Sequence, residues 1–379
     1  MSRPIYLDYN ATTPVAPEVA EAMLPFLQER FGNPSSIHPY GRQAQEAVAL
    51  AREQVATLIG ARPGEIVFTG SATEANNLGI LGVARALRAR GGYLVTSAIE
   101  HPAVARPMAH LQEQGWDLGV LAVDGDGRVS LDELARSLRD FTVLVSVMHA
   151  NNEVGTLQPI AVLAALAHSR GALFHTDAAQ SVGKIGVDVD ALGVDLLTIA
   201  GHKLYAPKGV GALYIRAGTP IAPILFGAGH EQGLRPGTEN VPHIVGLGAA
   251  AELAQSRLAA SAERLRERRD TPHRRLATAV PGLVLNGHAE ERLPNTLHCS
   301  FPGVSGRDPL ARTPTIAASV GSACHEEGGS VSGVLGAMGI PPGRATGAVR
   351  LSIGEPTTDA DIATGANALV ATWRTLIAL

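Results

Sequence analysis

From about residue 15 to 215 the chain alternates short apolar, β-rich runs with stretches of helical period, and this alternation restricts its fold more than any other feature. Residues 40–60 place Ala44, Ala47, Val48, Ala51, Val55, Leu58 and Ile59 at helical spacing. Then follow EIVFT (65–69), a helical pattern over 72–90, YLVTS (93–97), a helical stretch after His101, and LGVLAV (118–123). FTVLVSVM (141–148), a helix near 159–170, ALFHTD (172–177), DLLTIA (195–200) and GALYIR (211–216) continue the series. Strands separated by helices are joined by crossovers rather than hairpins, which predicts a largely parallel sheet covered on both faces. A long Ala/Leu/Arg helix over roughly 243–270 comes next. GLVLN (282–286), NTLHCSF (295–301), TIAAS (315–319), AVRLSI (348–353) and a helix near 358–377 then predict a smaller α/β domain.

Charge and cysteine usage narrow the function classes. The 379 residues carry 31 basic and 35 acidic side chains, a net charge of −4, with no basic field for nucleic acid. Two cysteines without CxxC spacing argue against a disulfide framework or zinc knuckle and suit a reducing cytosol. No apolar run reaches membrane-spanning length, and MSRPIYLDYNATTP lacks a signal-peptide pattern, so a soluble cytoplasmic protein is expected. The basic residues are almost all arginine: lysine occurs only at 184, 203 and 208.

In α/β sheets ligands gather beyond the carboxyl ends of the strands, so the residues there carry the functional argument. TGSATE (69–74) joins a strand to a helix through small residues, which suits an anion at the helix N-terminus; a capped helix start is the alternative. Asp177 closes an apolar strand and requires a hydrogen-bonding or cationic partner, a protonated pyridine nitrogen among them; an ordinary N-cap is the alternative. Lys203 follows DLLTIAGH at another strand end, where a partly desolvated amine can form an imine and an arginine cannot. Lys184 and Lys208 lie in turns and read as solvated or structural. An anion loop, a strand-end Asp and a strand-end Lys together point to pyridoxal 5′-phosphate, against a plain α/β core with surface polar residues.

Cys324 lies in the glycine-rich ASVGSACHEEGGSVSG beside His325, where an accessible thiol is a candidate nucleophile or an incidental surface group. Cys299, in an alternating strand, reads as a buried small hydrophobe. Arg350 is a candidate for bidentate pairing with a substrate carboxylate or for a structural ion pair. VDGDGRVS lacks the remaining ligands of a calcium loop, HExxH and GxSxG are absent, and the thirteen histidines lack metal-ligand spacing, so no metal is expected.

YLDYNATTP (6–14), FGNPSSIHPYG (31–41), FTGSATEANN, EHPAV, MHANNEVG, HTDAAQSVGK, GHKLYAPKG, RPGTEN, LPNT, GSAC and RLSIG follow one another in order. Over essentially its whole length the chain resembles the class V aminotransferase superfamily, and within it the cysteine desulfurase and selenocysteine lyase group. The resemblance implies the fold-type I architecture of pyridoxal-phosphate enzymes, with a large cofactor domain over 15–255. Residues 1–14 and 256–379 would form the small domain, with a mobile cysteine loop at about 320–335. It implies Lys203 as the imine lysine with His202 beside it, Ala72 and Thr73 at the phosphate, and His101 stacked on the ring and handling protons. Asp177 would face the ring nitrogen, with Gln180 and Asn152 near the ring oxygen or the substrate. Thr238 would reach the phosphate of a neighbouring subunit in a homodimer. Arg350 and Asn33 would contact the substrate, and Cys324 would be the nucleophile.

The implied reaction cleaves the Cβ–S bond of L-cysteine or the Cβ–Se bond of L-selenocysteine, giving L-alanine and a persulfide or selenopersulfide on Cys324 for an acceptor protein. A selenocysteine-preferring lyase, transamination, and a non-catalytic sulfur-transfer scaffold are the alternatives. Ala200 stands where relatives commonly carry Ser or Thr, which leaves Thr198 or backbone groups to compensate, and Glu355 stands where many place Arg.

Overall fold

The computed structural model of the chain describes residues 3–321 and 332–378. A short N-terminal strand, β1 (Ile5–Tyr6), leads through two helices, Pro17–Gln28 and Pro39–Leu58, to the strands of the main sheet. These are β2 (Ile66–Thr69), β3 (Tyr93–Ser97), β4 (Asp117–Leu121), β5 (Thr142–Ser146), β6 (Leu173–Asp177), β7 (Leu196–Ala200) and β8 (Gly211–Ile215). Their order is β2-β8-β7-β6-β5-β3-β4, parallel except at β8, which runs antiparallel to both neighbours. The chain therefore has the α/β fold that its alternating pattern predicts, with each predicted strand in place.

The sheet separates two cores, and the two-residue period of the strands assigns each side chain to one of them. Phe68, Val95, Val145, Leu197 and Tyr214 pack on one face, while Val67, Leu94, Leu144, Leu196 and Leu213 pack on the other. Burial on both faces explains why β2, β3, β5, β7 and β8 read as nearly unbroken apolar runs. Edge strand β4, by contrast, exposes Asp117 and Val120.

The long helix spans Val241–Ala279, nine residues beyond the predicted end at 270. The charged run around Arg264–Asp270 and an internal Pro272 argue locally for a stop. Packing overrides them: Pro272 and Leu276 are buried, and Leu276 joins a third core with Leu7, Leu297 and Phe301. Residues 255 and 256 lie within this helix, which connects the first core, through Leu247 and Ala251, to the third. That third core is roofed by an antiparallel sheet of β9 (Val284–Leu285), β10 (Thr296–Ser300) and β12 (Ala348–Ser352), ordered β12-β10-β9. Strand β11 (Ile316–Ala317) pairs in parallel with β1, tying the N-terminus to this C-terminal unit.

Cys299 sits in the third core at 2% exposure, and burial pushes its thiol up to about 12. It should stay unreactive toward a thiol reagent in the native chain and react only on unfolding. Rapid native labelling of Cys299, read by peptide mass spectrometry, would contradict this packing.

His175 on β6 and His298 on β10 are fully buried, and burial lowers both from 6.5 to about 3. The unfolded chain protonates these imidazoles first, so their contribution to stability is complete above pH 6.5 and is lost as pH falls toward about 3. Melting temperature should therefore fall steadily through that window. His175→Gln should flatten the profile, as measured by thermal denaturation across pH.

Candidate active site

Because β8 reverses direction between β2 and β7, the strands β2, β3, β5, β6 and β7 all end at one edge of the sheet. The residues following them converge there, as the strand-end argument requires.

At the centre, Asp177 ends β6 at 5% exposure. Asn76 Nδ2 donates to its Oδ2 at 2.7 Å, and the Ala179 N–H donates to its Oδ1 at 2.9 Å. Neither donor is charged, and no cation pairs with this carboxylate among the described residues. A buried carboxylate held by neutral donors alone is suited to face a protonated ring nitrogen.

β7 ends at Ala200 and passes into a single turn, Gly201–Lys203. Lys203 Nζ donates to the carbonyls of Asn10 at 2.5 Å and Ala11 at 2.7 Å. His202 places Nδ1 3.1 Å from Thr12 Oγ1, and burial, then the nearby Lys203, brings its imidazole down to about 4. His101 caps the helix Pro102–Glu113, its Nδ1 accepting from the Ala103 N–H at 3.1 Å. That bond leaves the ring proton on Nε2. Burial lowers His101 from its ordinary value, while Asp177 pulls it up and Lys203 pulls it down, so His101 lies in the fields of both groups.

The turn after β2 has the form of an anion cradle. Ser71 caps the helix Ala72–Leu87 by accepting from the Glu74 N–H, and Glu74 Oε2 takes the Gly70 N–H at 2.9 Å. The N–H groups of Ala72 and Thr73 remain as first-turn donors without intrahelical partners. Gly211 on β8 closes against this turn: a Cβ there would lie 2.6 Å from the Ser71 carbonyl carbon and 2.8 Å from Ala72 N. Arg235 Nε pairs with Glu74 Oε1 at 3.0 Å, bringing RPGTEN alongside. The capping alternative and the cradle thus coexist, since capping consumes one set of donors and leaves another.

Arg350, 2% exposed, donates from Nη2 to Asp8 at 2.6 Å and from Nη1 to the Asn152 and Gly321 carbonyls. The structural ion pair is therefore present, while Nε, also buried, has no partner among the described residues. Asn152 is half-buried beside it. Gln180 is buried, donating from Nε2 to the Asn10 carbonyl at 3.0 Å. Asn33 is exposed with its Oδ1 accepting from the Ser35 N–H, and Thr238 is exposed. Cys324 and the centre of its loop lie outside the described residues.

Of the two readings open for Lys184, solvated and structural, the second holds: it is 8% exposed and donates to Gln180 Oε1 at 2.8 Å. One expectation is corrected. Thr198 does not stand in for the hydroxyl absent at Ala200, because it is fully buried with its Oγ1 3.2 Å from His175 Nε2, inside the sheet. Glu355, the other departure, forms an ion pair with Arg264, and its N–H donates to Tyr205 Oη at 2.7 Å.

Four further residues of the site escaped the sequence reading. Asn10 presents its carbonyl to Lys203 and Gln180, and Asp8 holds Arg350. Asn76 reaches Asp177 from the fifth position of its helix. Glu100 accepts from Ser97 Oγ and the Met148 N–H, and burial raises its carboxyl to about 8. The inward helical face of TEANN was the available signal for Asn76. Nothing local marked Asp8 or Asn10.

A family model for aminotransferase class-V matches residues 5–364, nearly the whole chain. The chain belongs to the class-V aminotransferase family. Class-V aminotransferases are pyridoxal-phosphate enzymes, and the cofactor of this chain is pyridoxal 5′-phosphate. The uncompensated Asp177 carboxylate and the free first-turn donors of Ala72 and Thr73 fit that group's ring nitrogen and phosphate. The chain is 47% identical to cysteine desulfurase IscS of Dictyoglomus turgidum, over 96% of this chain and 92% of that one. It is 44% identical to cysteine desulfurase IscS of Methanosarcina thermophila, over 95% and 90% respectively. A solved structure titled NifS-like protein superposes with a TM-score of 0.91 at 37% identity, covering 99% of this chain and 100% of that one. Among the described residues no helix is long and apolar enough to cross a membrane.

Proposed function

We propose that this class-V aminotransferase is a cysteine desulfurase, which removes sulfur from L-cysteine to give L-alanine and holds that sulfur as a persulfide on Cys324. The buried Asp177 carboxylate, held by neutral donors, and Lys203, both in the surroundings of His101, carry the reading of the centre, and the IscS relatives direct it to cysteine. When bound, pyridoxal phosphate supplies an electron sink for the bonds at the substrate α-carbon. Asp177 would face that group's ring nitrogen, its carboxylate oriented by Asn76 Nδ2 and the Ala179 N–H. Lys203 would hold the cofactor through its amine, and the same amine would take the α-proton from the substrate. His101, kept neutral by burial, offers its Nε2–H to the same space and returns a proton to the departing fragment.

Arg350 is in this reading the carboxylate partner of the substrate, its Nε–H without a partner among the described residues while Asp8 takes Nη2. Cys324 attacks the substrate sulfur as a thiolate: a sulfur–sulfur bond forms, the Cβ–S bond breaks, and the carbon fragment takes up protons to leave as alanine. No external oxidant or reductant is consumed. We further read the chain as a homodimer in which Thr238 serves the adjoining site. Its exposure supports this, as does that of the large apolar Phe31, Ile37 and Phe226.

The experiment is alanine formation by the purified, cofactor-loaded chain, given L-cysteine and L-selenocysteine in parallel. Alanine from L-cysteine is expected. Release of alanine from selenocysteine alone would replace the reading with a selenium-specific lyase.

A further inference from the structure

Lys184 is a buried amine with no role so far. It lies after β6 in HTDAAQSVGK, near the like charges of Lys203 and Arg350, and burial together with those charges holds it well below the ordinary lysine range. Burying an amine there without a carboxylate is costly, and an aliphatic side chain would fill the same space without that cost. Among the described residues its one hydrogen bond is to Gln180 Oε1, at 2.8 Å. The other end of the Gln180 amide, Nε2, donates to the Asn10 carbonyl at 3.0 Å, and that carbonyl also receives Lys203 Nζ at 2.5 Å.

We propose that Lys184 is a positioning residue that clamps the Gln180 amide so that its NH2, not its oxygen, faces the Asn10 carbonyl and the cofactor-binding space. The chemistry of the two neighbours agrees. The Asn10 carbonyl only accepts, so it requires Nε2 toward it, and Oε1 at the other end then accepts from the Lys184 amine at 2.8 Å. The NH2 carries two protons; Asn10 takes one and the second is available to an anionic oxygen on the cofactor ring. Because Asn10 is shared with Lys203, the clamp also ties the reactive amine to the Gln180 amide. This inference rests on the cofactor reading above and adds to it the residue that sets the donor's direction.

The test compares wild type, K184M, Q180L and K184M/Q180L as cofactor-loaded full chains, following the visible absorbance band across pH. A donor to the ring oxygen stabilises its anion and lowers the pH at which the band titrates. K184M should therefore raise the midpoint by about one unit, the scale of one charge-assisted hydrogen bond. Q180L should raise it similarly, and the double variant should go no further than Q180L, since Lys184 acts through Gln180. An unmoved midpoint in folded K184M, or additive shifts in the double variant, overturns the proposal.

A second measurement uses 15N-glutamine labelling, with the Gln180 NH2 signal assigned by its loss in Q180L. Its protons should exchange with solvent about ten-fold faster in K184M than in wild type, as for a released hydrogen bond. Equal exchange overturns the proposal. If wild type shows no visible band, the cofactor reading fails by itself, and the exchange comparison still decides the clamp.

Discussion

Lys203→Ala should abolish the visible cofactor band and lower alanine formation by roughly 10⁴-fold or more, since it removes both a covalent anchor and a proton-transfer group. Lys203→Arg should fail nearly as completely. A guanidinium stays charged at every accessible pH and has no lone pair with which to attack a carbonyl carbon. In this chain the comparison is pointed, because 28 of its 31 basic residues are already arginine. The structural cost of the change is modest by comparison. The Ala11 carbonyl loses its donor, which costs about 1–3 kcal/mol if water does not replace it, while the Asn10 carbonyl keeps the Gln180 amide. Absorbance spectra and melting curves on the same preparations separate the two effects. A Lys203→Ala chain that melts near wild type yet retains the band would remove Lys203 from the chemistry.

Cys324→Ala should eliminate persulfide formation while leaving the cofactor band intact, because the residues proposed to hold the cofactor, Lys203, Asp177 and His101, remain in place. Cys299→Ala is the matched control. That thiol is buried among Leu7, Leu297, Phe301 and Val349, and burial pushes it up to about 12, so it is protonated throughout the working range. Its removal should cost stability, about 1 kcal/mol for a small buried side chain, and leave turnover unchanged. Radiolabelled sulfur from cysteine, traced to the protein, distinguishes the two. Label retained in Cys324→Ala and lost in Cys299→Ala would reverse their assigned roles.

The parts of this protein legible in its sequence are those that depend on local period. The strands of the main sheet are buried on both faces and announce themselves as apolar runs, and the strand-end residues Asp177 and Lys203 follow from where those runs stop. What could not be read depends on contacts far apart in sequence. Asn10 meets Lys203 across 193 residues, and Asp8 meets Arg350 across 342. Lys184 illustrates the limit well. Its turn context leaves a solvated and a structural lysine both open, and only the fold, by bringing Gln180 and the N-terminal segment over it, decides for burial. The long helix fails in the opposite sense: local charge and Pro272 signal an end, and tertiary burial of Leu276 carries the helix past it.

The central claim, that this site moves sulfur from cysteine to a protein thiol, is tested most directly in one measurement. The cofactor-loaded chain is given a limiting amount of L-cysteine, then assayed together for alanine and, by intact and peptide mass, for sulfur on Cys324. The account predicts alanine and Cys324-bound sulfur in equal amounts. Alanine without added sulfur on Cys324, or pyruvate and sulfide in place of alanine, would contradict it.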